Sequence, residues 1–481
     1  MFEALAPEER RARVQGAGLD GQAAGRWLKA LEAASLAEAP EDARLDADAA
    51  ALRPIFTQGW ALCAALPLKS KRSPPERAAG EAIVHTLAAL CDRFCRAHRA
   101  AMYRRLTDEF RRPLRVDDLV YRAGELWPGL LPARAQIERE RERMQADKDG
   151  LEIQQGVFLG HVMAEPRAGT HLIYSMLRPK PESLELLKTF RERGALDLGN
   201  VRVEIKGRVG HVINHNPRYL NAEDEETLGP QETAVDLVLL HPELQMGVLR
   251  GDFVEHPRYK GRRIFDAGLN LTKVYHGKIG YASFYILRDL GFVNKLFRGL
   301  ATNGWRESLA GGDEPEETLE KPWVAAVEGF AIGGGCQLLL VVDYVIAEAG
   351  SYFNLPARKE GIIPGAANLR LGRFMGERLA RQAIMFDKTF YVESPEARLL
   401  VNEVVPRERM DEAIAQAAEN ALMSGMVSAG GNRKALRVHS EPVDAFRRYM
   451  ATYCAEQALC HLSPQLIANL EKNWSAQSKR L

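Results

Sequence analysis

The sequence predicts an α/β protein in which an all-helical N-terminal domain precedes a domain of alternating strands and helices. Apolar residues recur at helical spacing over residues 1–195, and an alternating strand pattern begins at Val201. Short apolar runs then alternate with helical stretches, until the pattern becomes helical again near residue 407. We therefore expect an all-helical domain over 1–195, an α/β domain over 196–425 and a C-terminal helical segment over 426–481.

Three segments of the N-terminal region predict helices. In residues 81–106 the apolar side chains lie three or four residues apart along one stripe, which indicates a buried face. Residues 133–150 are mostly charged or polar, so we expect a solvated helix there. A further helix is expected to begin near Pro181 and to end at Gly194.

Strands and glycines organise the second region. Residues 201–213 predict a β-hairpin, and an apolar strand over 323–327 leads to the glycines at 333–335 and then to a helix. Glycines between a strand and a helix let backbone N–H groups approach a ligand, at the positive end of the helix dipole. The segment 268–270 offers a second glycine site of this kind. Each site taken alone is equally what a tight turn needs.

Charge and composition exclude several classes of protein. The formal net charge is +1, which argues against a nucleic-acid partner that is held by a large cationic field. Apolar runs such as residues 337–342 are far shorter than the ~20 residues of a membrane span. The N-terminal residues lack the pattern of a signal peptide, and the six cysteines are sparse. These features predict reduced thiols and a cytoplasmic location.

Two residue groups have spacings compatible with a metal ion. His241 and Glu243 have the H-x-E spacing of an iron facial triad, but no third ligand is evident. Cys91, Cys95 and His98 share one helical face, where buried core thiols are the commoner explanation. We therefore predict no metal site. Residues 303–321, rich in Gly and Glu, predict a surface loop.

Five ordered motifs resemble the crotonase (enoyl-CoA hydratase/isomerase) superfamily. They lie at residues 214–223, 267–271, 321–337, 354–365 and 394–406. The resemblance covers about residues 200–425 and implies a ββα-spiral fold, an acyl-CoA thioester ligand and trimers that pair into homo-hexamers. It also implies an oxyanion hole formed by the N–H groups of Leu269 and Gly334. Arg218 and Tyr219 fall in the family segment that lines the adenine end of CoA.

Two positions depart from the enoyl-CoA hydratases of this family. The hydratases carry glutamates where this chain has Gln337 and Ala357. An amide has no proton to exchange near neutral pH, and a methyl group has none at all. Water addition by a pair of carboxylates is therefore not supported.

A narrower resemblance covers nearly the whole chain. The sequence is similar to the superfamily's cofactor-independent dioxygenases of 3,5-dihydroxyphenylacetyl-CoA, which serve dihydroxyphenylglycine and antibiotic biosynthesis. The resemblance implies that an arylacetyl-CoA and O2 become an arylglyoxylate and free CoA through an enolate, without metal or flavin. It places Glu223, Arg288 and Gln337 at the ring and its hydroxyls. It places Leu271 and Ile362 at an apolar oxygen pocket.

Other interpretations stay open on the residues alone. Glu223 would suit the first turn of a helix, Arg288 a surface pair with Asp289, and Gln337 a capping or packing position. The same enolate would meet a proton in an acyl-CoA hydrolase, isomerase or decarboxylase, and a non-catalytic acyl-CoA binder is a further alternative. The base that removes the α-proton and the role of the helical domain are not predicted.

Overall fold

A computed structural model describes residues 5–34, 42–302, 318–423 and 425–481. The chain forms two compact units. The first comprises Met1–Leu172, Thr272–Ala282 and Met450–Leu481, and the second comprises Ile173–Leu271 and Ser283–Tyr449. The domains expected over 1–195, 196–425 and 426–481 stay predictions, because compactness in space does not show which segments fold independently.

The N-terminal part of the chain is helical, as predicted. Its helices are α1 Pro7–Gln15, α2 Gly21–Ala33, α3 Leu45–Ala65, α4 Pro74–Leu106, α5 Val116–Leu126, α6 Arg134–Arg141, α7 Glu152–Ala164, α8 Pro166–Leu177 and α9 Pro181–Arg193. The long helix α4 contacts α1, α3 and α7. α9 ends at Gly194, whose φ of 71° is typical of a helix C-terminus.

The solvated helix expected over 133–150 is wrong in extent and in exposure. α6 ends at Arg141, and a 3-10 turn follows at Gln145–Asp147. Glu140 is 4% exposed and accepts a hydrogen bond from the Asp149 backbone N–H at 2.7 Å. The charged residues of this segment therefore include structural groups inside the helical unit, which charge density alone does not reveal.

The second unit is built on a seven-stranded sheet. The strands of the protein are β1 Ala195–Asp197, β2 Val201–Lys206, β3 Val209–Asn214, β4 Met246–Gly251, β5 Leu300–Ala301, β6 Thr318–Leu319, β7 Trp323–Val327, β8 Phe330–Ile332, β9 Tyr344–Glu348, β10 Tyr352–Asn354, β11 Phe390–Tyr391 and β12 Glu403–Val405. The large sheet has the order β1-β2-β3-β4-β7-β9-β12. In this sheet the pairs β1–β2 and β2–β3 are antiparallel, and the pairs β3–β4, β4–β7, β7–β9 and β9–β12 are parallel. The predicted hairpin is thus confirmed as β2–β3, and the predicted strand at 323–327 as β7.

The described residues also form two smaller sheets and eleven further α-helices. The small sheets are β11-β10-β8 and β5-β6. The helices among the described residues after β3 are α10 Glu225–Leu240, α11 Leu271–Tyr275, α12 Leu287–Leu290, α13 Phe292–Arg298, α14 Gly334–Leu339, α15 Ala357–Glu360, α16 Ala367–Phe386, α17 Met410–Leu422, α18 Met426–Ser440, α19 Val443–His461 and α20 Pro464–Trp474. The loop expected over 303–321 lies largely outside the described residues.

Helices cover the large sheet. A cluster of buried side chains joins the sheet to α17, and its members include Val248, Val324, Ile346 and Ile414. α10 contacts β2, β3 and β4. This mixture of a largely parallel sheet and covering helices, preceded by an all-helical region, confirms the predicted α/β fold class.

The topology brings three connections to one edge of the sheet. β3, β4 and β7 are parallel neighbours, so their carboxyl ends meet at the same edge. The chain leaves β3 toward Glu223, leaves β4 toward Leu269, and leaves β7 through β8 toward Gly334. Three motifs that are far apart in sequence therefore converge there.

Candidate active site

A backbone bridge joins the first two of these connections. Glu223 and Leu269 pair as an isolated parallel bridge. The Glu223 N–H donates to Gly268 O at 2.7 Å, and the Asn270 N–H donates to Glu223 O at 2.8 Å. Because successive N–H groups of an extended segment point to opposite sides, the Leu269 N–H points away from Glu223.

The third connection lies beside the second. Gly334 begins α14, and the first N–H groups of a helix have no acceptor within that helix. Gly268 has a φ of 78°, and a Cβ on this residue would lie 3.0 Å from Gly334 N and 2.6 Å from Ile332 O. Glycine is therefore required at 268 by both backbone conformation and space. Leu269 and Gly334 are on adjoining segments. That their backbone N–H groups together form an oxyanion hole stays a prediction.

Arg288 connects the side chains of the site. It lies on α12, directly after a π-helical segment over Tyr281–Ile286. Its Nε and Nη2 donate to the two carboxylate oxygens of Glu223 at 2.8 and 3.0 Å. Its Nη1 donates to Gln337 Oε1 at 2.8 Å, and Nη2 also donates to Gly334 O at 3.0 Å. We call Arg288, Glu223 and Gln337 the Arg288 cluster.

The Arg288 cluster is buried. Arg288 is 4% exposed and Glu223 is 1% exposed. Burial acts to lower the pKa of Arg288, but the charges of Glu223 and then Asp289 outweigh it, so that the pKa lies above its ordinary value. A buried bidentate pair of this kind is stable only while both partners are present, because either one alone is a desolvated charge.

Gln337 has one orientation that satisfies the arginine. A guanidinium group only donates hydrogen bonds, so the side-chain oxygen of Gln337 must face Arg288. Its amide nitrogen then points elsewhere, and within the described residues it donates no hydrogen bond. The side chain is 9% exposed, so the amide offers a donor to a ligand in a nearly dry site.

The structure decides between the alternative placements of these residues. Asp224 is the N-cap of α10, so Glu223 precedes the helix and is not one of its first-turn acids. Arg288 is not a surface residue, and its distance to Asp289 is 3.6 Å, longer than its contacts with Glu223. The side chain of Gln337 contacts Arg288 rather than capping α14.

The remaining predicted site residues lie outside the Arg288 cluster. Arg218 and Tyr219 are on a 3-10 turn, where the guanidinium carbon lies 5.2 Å from the centre of the tyrosine ring. Leu271 begins α11, and Ile362 follows Gly361 in the loop after α15; both are partly buried. Roles for these four residues in binding CoA and O2 stay predictions.

Sequence reasoning did not place Gly365 or Asp289 in the site, and it considered Asp289 only as a surface partner of Arg288. Gly365 has a φ of 46°, and a Cβ there would overlap Gln337 Oε1 and lie 2.8 Å from Asp289 Oδ1. Asp289 is 2% exposed, and a Tyr449 hydroxyl donates to Gly365 O. The last glycine of the 354–365 motif was the available signal, since it marks a place where backbone packs directly on the site.

The residues considered for metal binding have other contacts. The His241 ring lies 5.7 Å from the Phe190 ring, and its Nδ1 accepts the Glu243 backbone N–H at 3.2 Å. The Cys91 and Cys95 sulfurs are 3.9 Å apart in the core. In the part of the chain that the structure describes, no three His, Cys, Asp or Glu residues are grouped to hold a metal ion. None of the described helices combines the length and the apolar character needed to cross a membrane.

Comparisons with known proteins identify relatives of this chain. The family model described as enoyl-CoA hydratase/isomerase matches residues 314–452. The (3,5-dihydroxyphenyl)acetyl-CoA 1,2-dioxygenase of Amycolatopsis orientalis is 46% identical over 395 residues, which cover 82% of this chain and 88% of the relative. A short-chain-enoyl-CoA hydratase of Clostridium acetobutylicum is 31% identical over 221 residues, which cover 45% of this chain and 74% of the relative.

Solved structures of similar fold are more distant. An enoyl-CoA hydratase from Mycobacterium avium subsp. paratuberculosis K-10 is 17% identical, with a TM-score of 0.47, over 59% of this chain and 99% of that one. An enoyl-CoA hydratase/isomerase from Pseudoalteromonas atlantica T6c is 20% identical, with a TM-score of 0.46, over 59% of this chain and 100% of that one.

Proposed function

Since this chain belongs to the enoyl-CoA hydratase/isomerase (crotonase) family, we propose that it is a dioxygenase that converts 3,5-dihydroxyphenylacetyl-CoA and O2 to an arylglyoxylate and free CoA. It is then an oxidoreductase that incorporates both oxygen atoms into its product. The relative with this activity is aligned with 82% of the chain, which must include part of the helical N-terminal region, whereas the hydratase relative is aligned with 45% of it.

The observation that carries this proposal is the Arg288 cluster, which occupies the site beside Gly334 where a hydratase needs exchangeable carboxylic acids. Arg288 holds the Glu223 carboxylate in place, and Gln337 presents an amide donor. Ala357 is buried and brings only a methyl group. Phenolic hydroxyls that are buried on binding need hydrogen-bond partners, and a carboxylate accepts from them while an amide donates to them.

The backbone amides have a separate part in the proposed reaction. The aryl ring and the thioester both acidify the carbon between them, so removal of a proton gives an enolate whose charge resides largely on the thioester oxygen. The Leu269 and Gly334 N–H groups would stabilise that oxygen by roughly 3 kcal/mol for each donor. Dipoles fixed in advance are most effective where bulk water is excluded.

The reaction with oxygen balances without a metal or a flavin. The enolate passes one electron to O2, and the radical pair combines to form a C–O bond at the α-carbon. The terminal peroxide oxygen attacks the thioester carbonyl and expels CoA as a thiolate. Loss of the remaining α-proton with cleavage of the O–O bond gives the arylglyoxylate, so the three oxygens of the product come from the thioester and O2.

Several finer assignments belong to the same proposal. Arg218 and Tyr219 would contact the adenine end of CoA, while Leu271 and Ile362 would line an apolar pocket for O2. The side chains of the Arg288 cluster would bind the ring. We also propose a homo-hexamer that is a dimer of trimers, a cytoplasmic location and no resident cofactor.

Oxygen uptake tests the function directly. Purified protein is treated with EDTA, dialysed and given 3,5-dihydroxyphenylacetyl-CoA in an oxygen electrode, while free CoA is measured with a thiol reagent. We expect one O2 to be consumed for each CoA released. CoA release under nitrogen would instead indicate a hydrolase, proton exchange at the α-carbon without O2 uptake an isomerase-type enzyme, and binding without turnover a non-catalytic acyl-CoA binder.

A further inference from the structure

The carboxyl group of Asp266 holds the turn that leads to Leu269. Asp266 is fully buried, and its Oδ1 accepts the Gly268 backbone N–H at 2.6 Å. Its Oδ2 lies 3.5 Å from Asn214 Nδ2, which is a long contact. An aspartate that binds the N–H two residues ahead fixes the intervening backbone, because the side chain takes the place of a backbone carbonyl in the turn.

The backbone of Asp266 ties the same turn to the segment that carries Gly334. The Asp266 N–H donates to Phe330 O at 3.4 Å, and the Ile332 N–H donates to Asp266 O at 3.0 Å. Asp266 is thereby paired with Ala331 of β8. β8 runs directly into α14, so one residue contacts both chain segments that end in the amides of the site.

The side chain also packs against α14 itself. A Cβ at Gly335 would lie 2.6 Å from Asp266 Cβ and 3.1 Å from Asp266 Cγ. Because Gly335 follows Gly334, the aspartate lies against the turn of helix that presents the second amide. Only a residue without a Cβ at 335 therefore lets the aspartate lie this close to α14.

We propose that Asp266 is a positioning residue, whose carboxyl group sets the separation and direction of the Leu269 and Gly334 amides. The proposal rests on the proposed function, because the alignment of the two amides matters only if they bind the thioester oxygen together. Asp266 itself does not touch the reacting atoms.

The protonation state of Asp266 follows from its surroundings. Burial, and after it the negative charge of Glu223, raise the pKa of Asp266 well above its usual range; the Gly268 N–H and Arg288 act in the opposite direction. Among the described residues, Glu223 and Arg288 are the charged groups that act on it, and Asn214 is neutral. Both raising effects favour the neutral acid over the carboxylate, and a neutral group beside the amides would not oppose the charge of the proposed enolate.

Three variants separate this role from a structural one. Asp266→Asn keeps an acceptor for the Gly268 N–H and resembles the neutral acid, so its kcat at pH 7 should lie within about threefold of the native value. Asp266→Ala has no acceptor for the Gly268 N–H, and Asp266→Ser keeps only a shorter and weaker one. We therefore expect kcat to fall in both, by roughly 10- to 100-fold in Asp266→Ala, with KM changed less than about threefold. If Asp266→Asn loses as much kcat as Asp266→Ala, or if Asp266→Ala keeps the native kcat, the proposal is wrong.

The pH profile provides a readout that packing alone would not change. The pH dependence of kcat should differ between the native enzyme and Asp266→Asn, because only the native enzyme can lose a proton at this position. An identical pH dependence in the two enzymes would contradict the assigned protonation state. Circular dichroism and thermal unfolding establish that each variant is folded, and Asp266→Ser replaces Asp266→Ala if the latter does not fold.

A pair of unreactive ligands tests Asp266 independently of oxygen chemistry. One is the dethia analogue of arylacetyl-CoA, in which a methylene replaces the thioester sulfur and the carbonyl is kept; the other is the arylethyl thioether of CoA, which lacks the carbonyl. The native protein should bind the carbonyl ligand more tightly than the thioether. The ratio of the two dissociation constants should be at least fivefold smaller in Asp266→Ala. If the native protein consumes no O2 but prefers the carbonyl ligand, and Asp266→Ala loses that preference, the proposed function fails and the role of Asp266 stands. If it consumes O2 while Asp266→Ala keeps the native preference, the role of Asp266 fails alone.

Discussion

At the scale of single residues, the Arg288 cluster is organised by the limits of its donors and acceptors. The two oxygens of Glu223 face two nitrogens of Arg288, and a third nitrogen takes the oxygen of Gln337. Both carboxylate oxygens and the side-chain amide oxygen therefore accept hydrogen bonds from the arginine. What remains for a ligand is the amide of Gln337 and the second lone pairs of the carboxylate, which together match a phenolic hydroxyl.

Replacing Gln337 with glutamate removes that amide donor and adds a second carboxylate to one guanidinium group. We expect kcat/KM for 3,5-dihydroxyphenylacetyl-CoA to fall roughly 10- to 100-fold in Gln337→Glu, because a ring hydroxyl loses its donor and meets a charge. Phenylacetyl-CoA has no ring hydroxyls, so its smaller kcat/KM should change much less. Steady-state oxygen uptake with both substrates measures the difference.

The matched control is Gln416→Glu, the same substitution on the exposed face of α17. It should leave kcat/KM for both substrates unchanged. Equal losses for the two substrates in Gln337→Glu would contradict a contact between Gln337 and the ring hydroxyls, and would assign the residue to holding Arg288.

At the scale of elements, glycine sets how closely helices approach in the helical unit. Gly156 lies on α7 against α19, where a Cβ would overlap the Ala458 Cβ and lie 2.9 Å from Cys454 O. Cys454 O is a backbone atom, so it cannot move away by a change of rotamer as the end of a flexible side chain can. Contact between the two helices therefore depends on the absence of a side chain at 156.

Gly156→Ala should consequently destabilise the protein, although alanine favours helix by about 1 kcal/mol over glycine. Overpacking of this kind costs roughly 1–3 kcal/mol, so we expect a lower midpoint in chemical denaturation. Gly25→Ala, on the exposed side of α2 with no atom near the added Cβ, is the control and should be neutral or stabilising. If both variants shift the midpoint alike, the close packing of α7 on α19 is not what requires the glycine.

At the scale of the whole molecule, buried ionisable groups make stability depend on pH more strongly than the net charge of +1 suggests. Burial, followed by the charge of Glu152, raises the pKa of Glu140 to about 7. The folded state therefore holds a proton that the unfolded chain releases at lower pH. The contribution of protonated Glu140 to the free energy of unfolding is fully present below the ordinary glutamate pKa of 4.5, and it is lost as the pH rises through about 7.

Glu140→Gln removes this titration while keeping an acceptor for the Asp149 N–H. Between pH 4.5 and pH 7 the native protein should lose about 3 kcal/mol of unfolding free energy relative to the variant. Urea unfolding at several pH values measures the difference. Glu125→Gln, at an exposed position of α5, should follow the native pH dependence, and a parallel course for Glu140→Gln as well would refute the assignment.

Much of the α/β unit could be predicted because its signals are local. The β2–β3 hairpin, the strand at 323–327 and the glycine turn before α14 are each specified by residues that are neighbours in sequence. The charged segment 133–150 was predicted wrongly for the complementary reason. The carboxyl group of Glu140 is buried where backbone N–H groups from further along the chain donate to it, and no local pattern shows such a partner.

The sequence by itself determined the order of the elements and the places of the glycines at 268 and 333–335. It also determined that Gln337 and Ala357 stand where the hydratases carry glutamates. These depend on backbone conformation and residue identity, which are properties of short segments. Only the tertiary structure decided that Arg288 is a buried hub rather than a surface residue, and that Asp266 contacts both amide segments. Those facts arise because parallel strands bring three distant connections to one edge of a sheet, and the burial and charge of a side chain are set by whatever that convergence places around it.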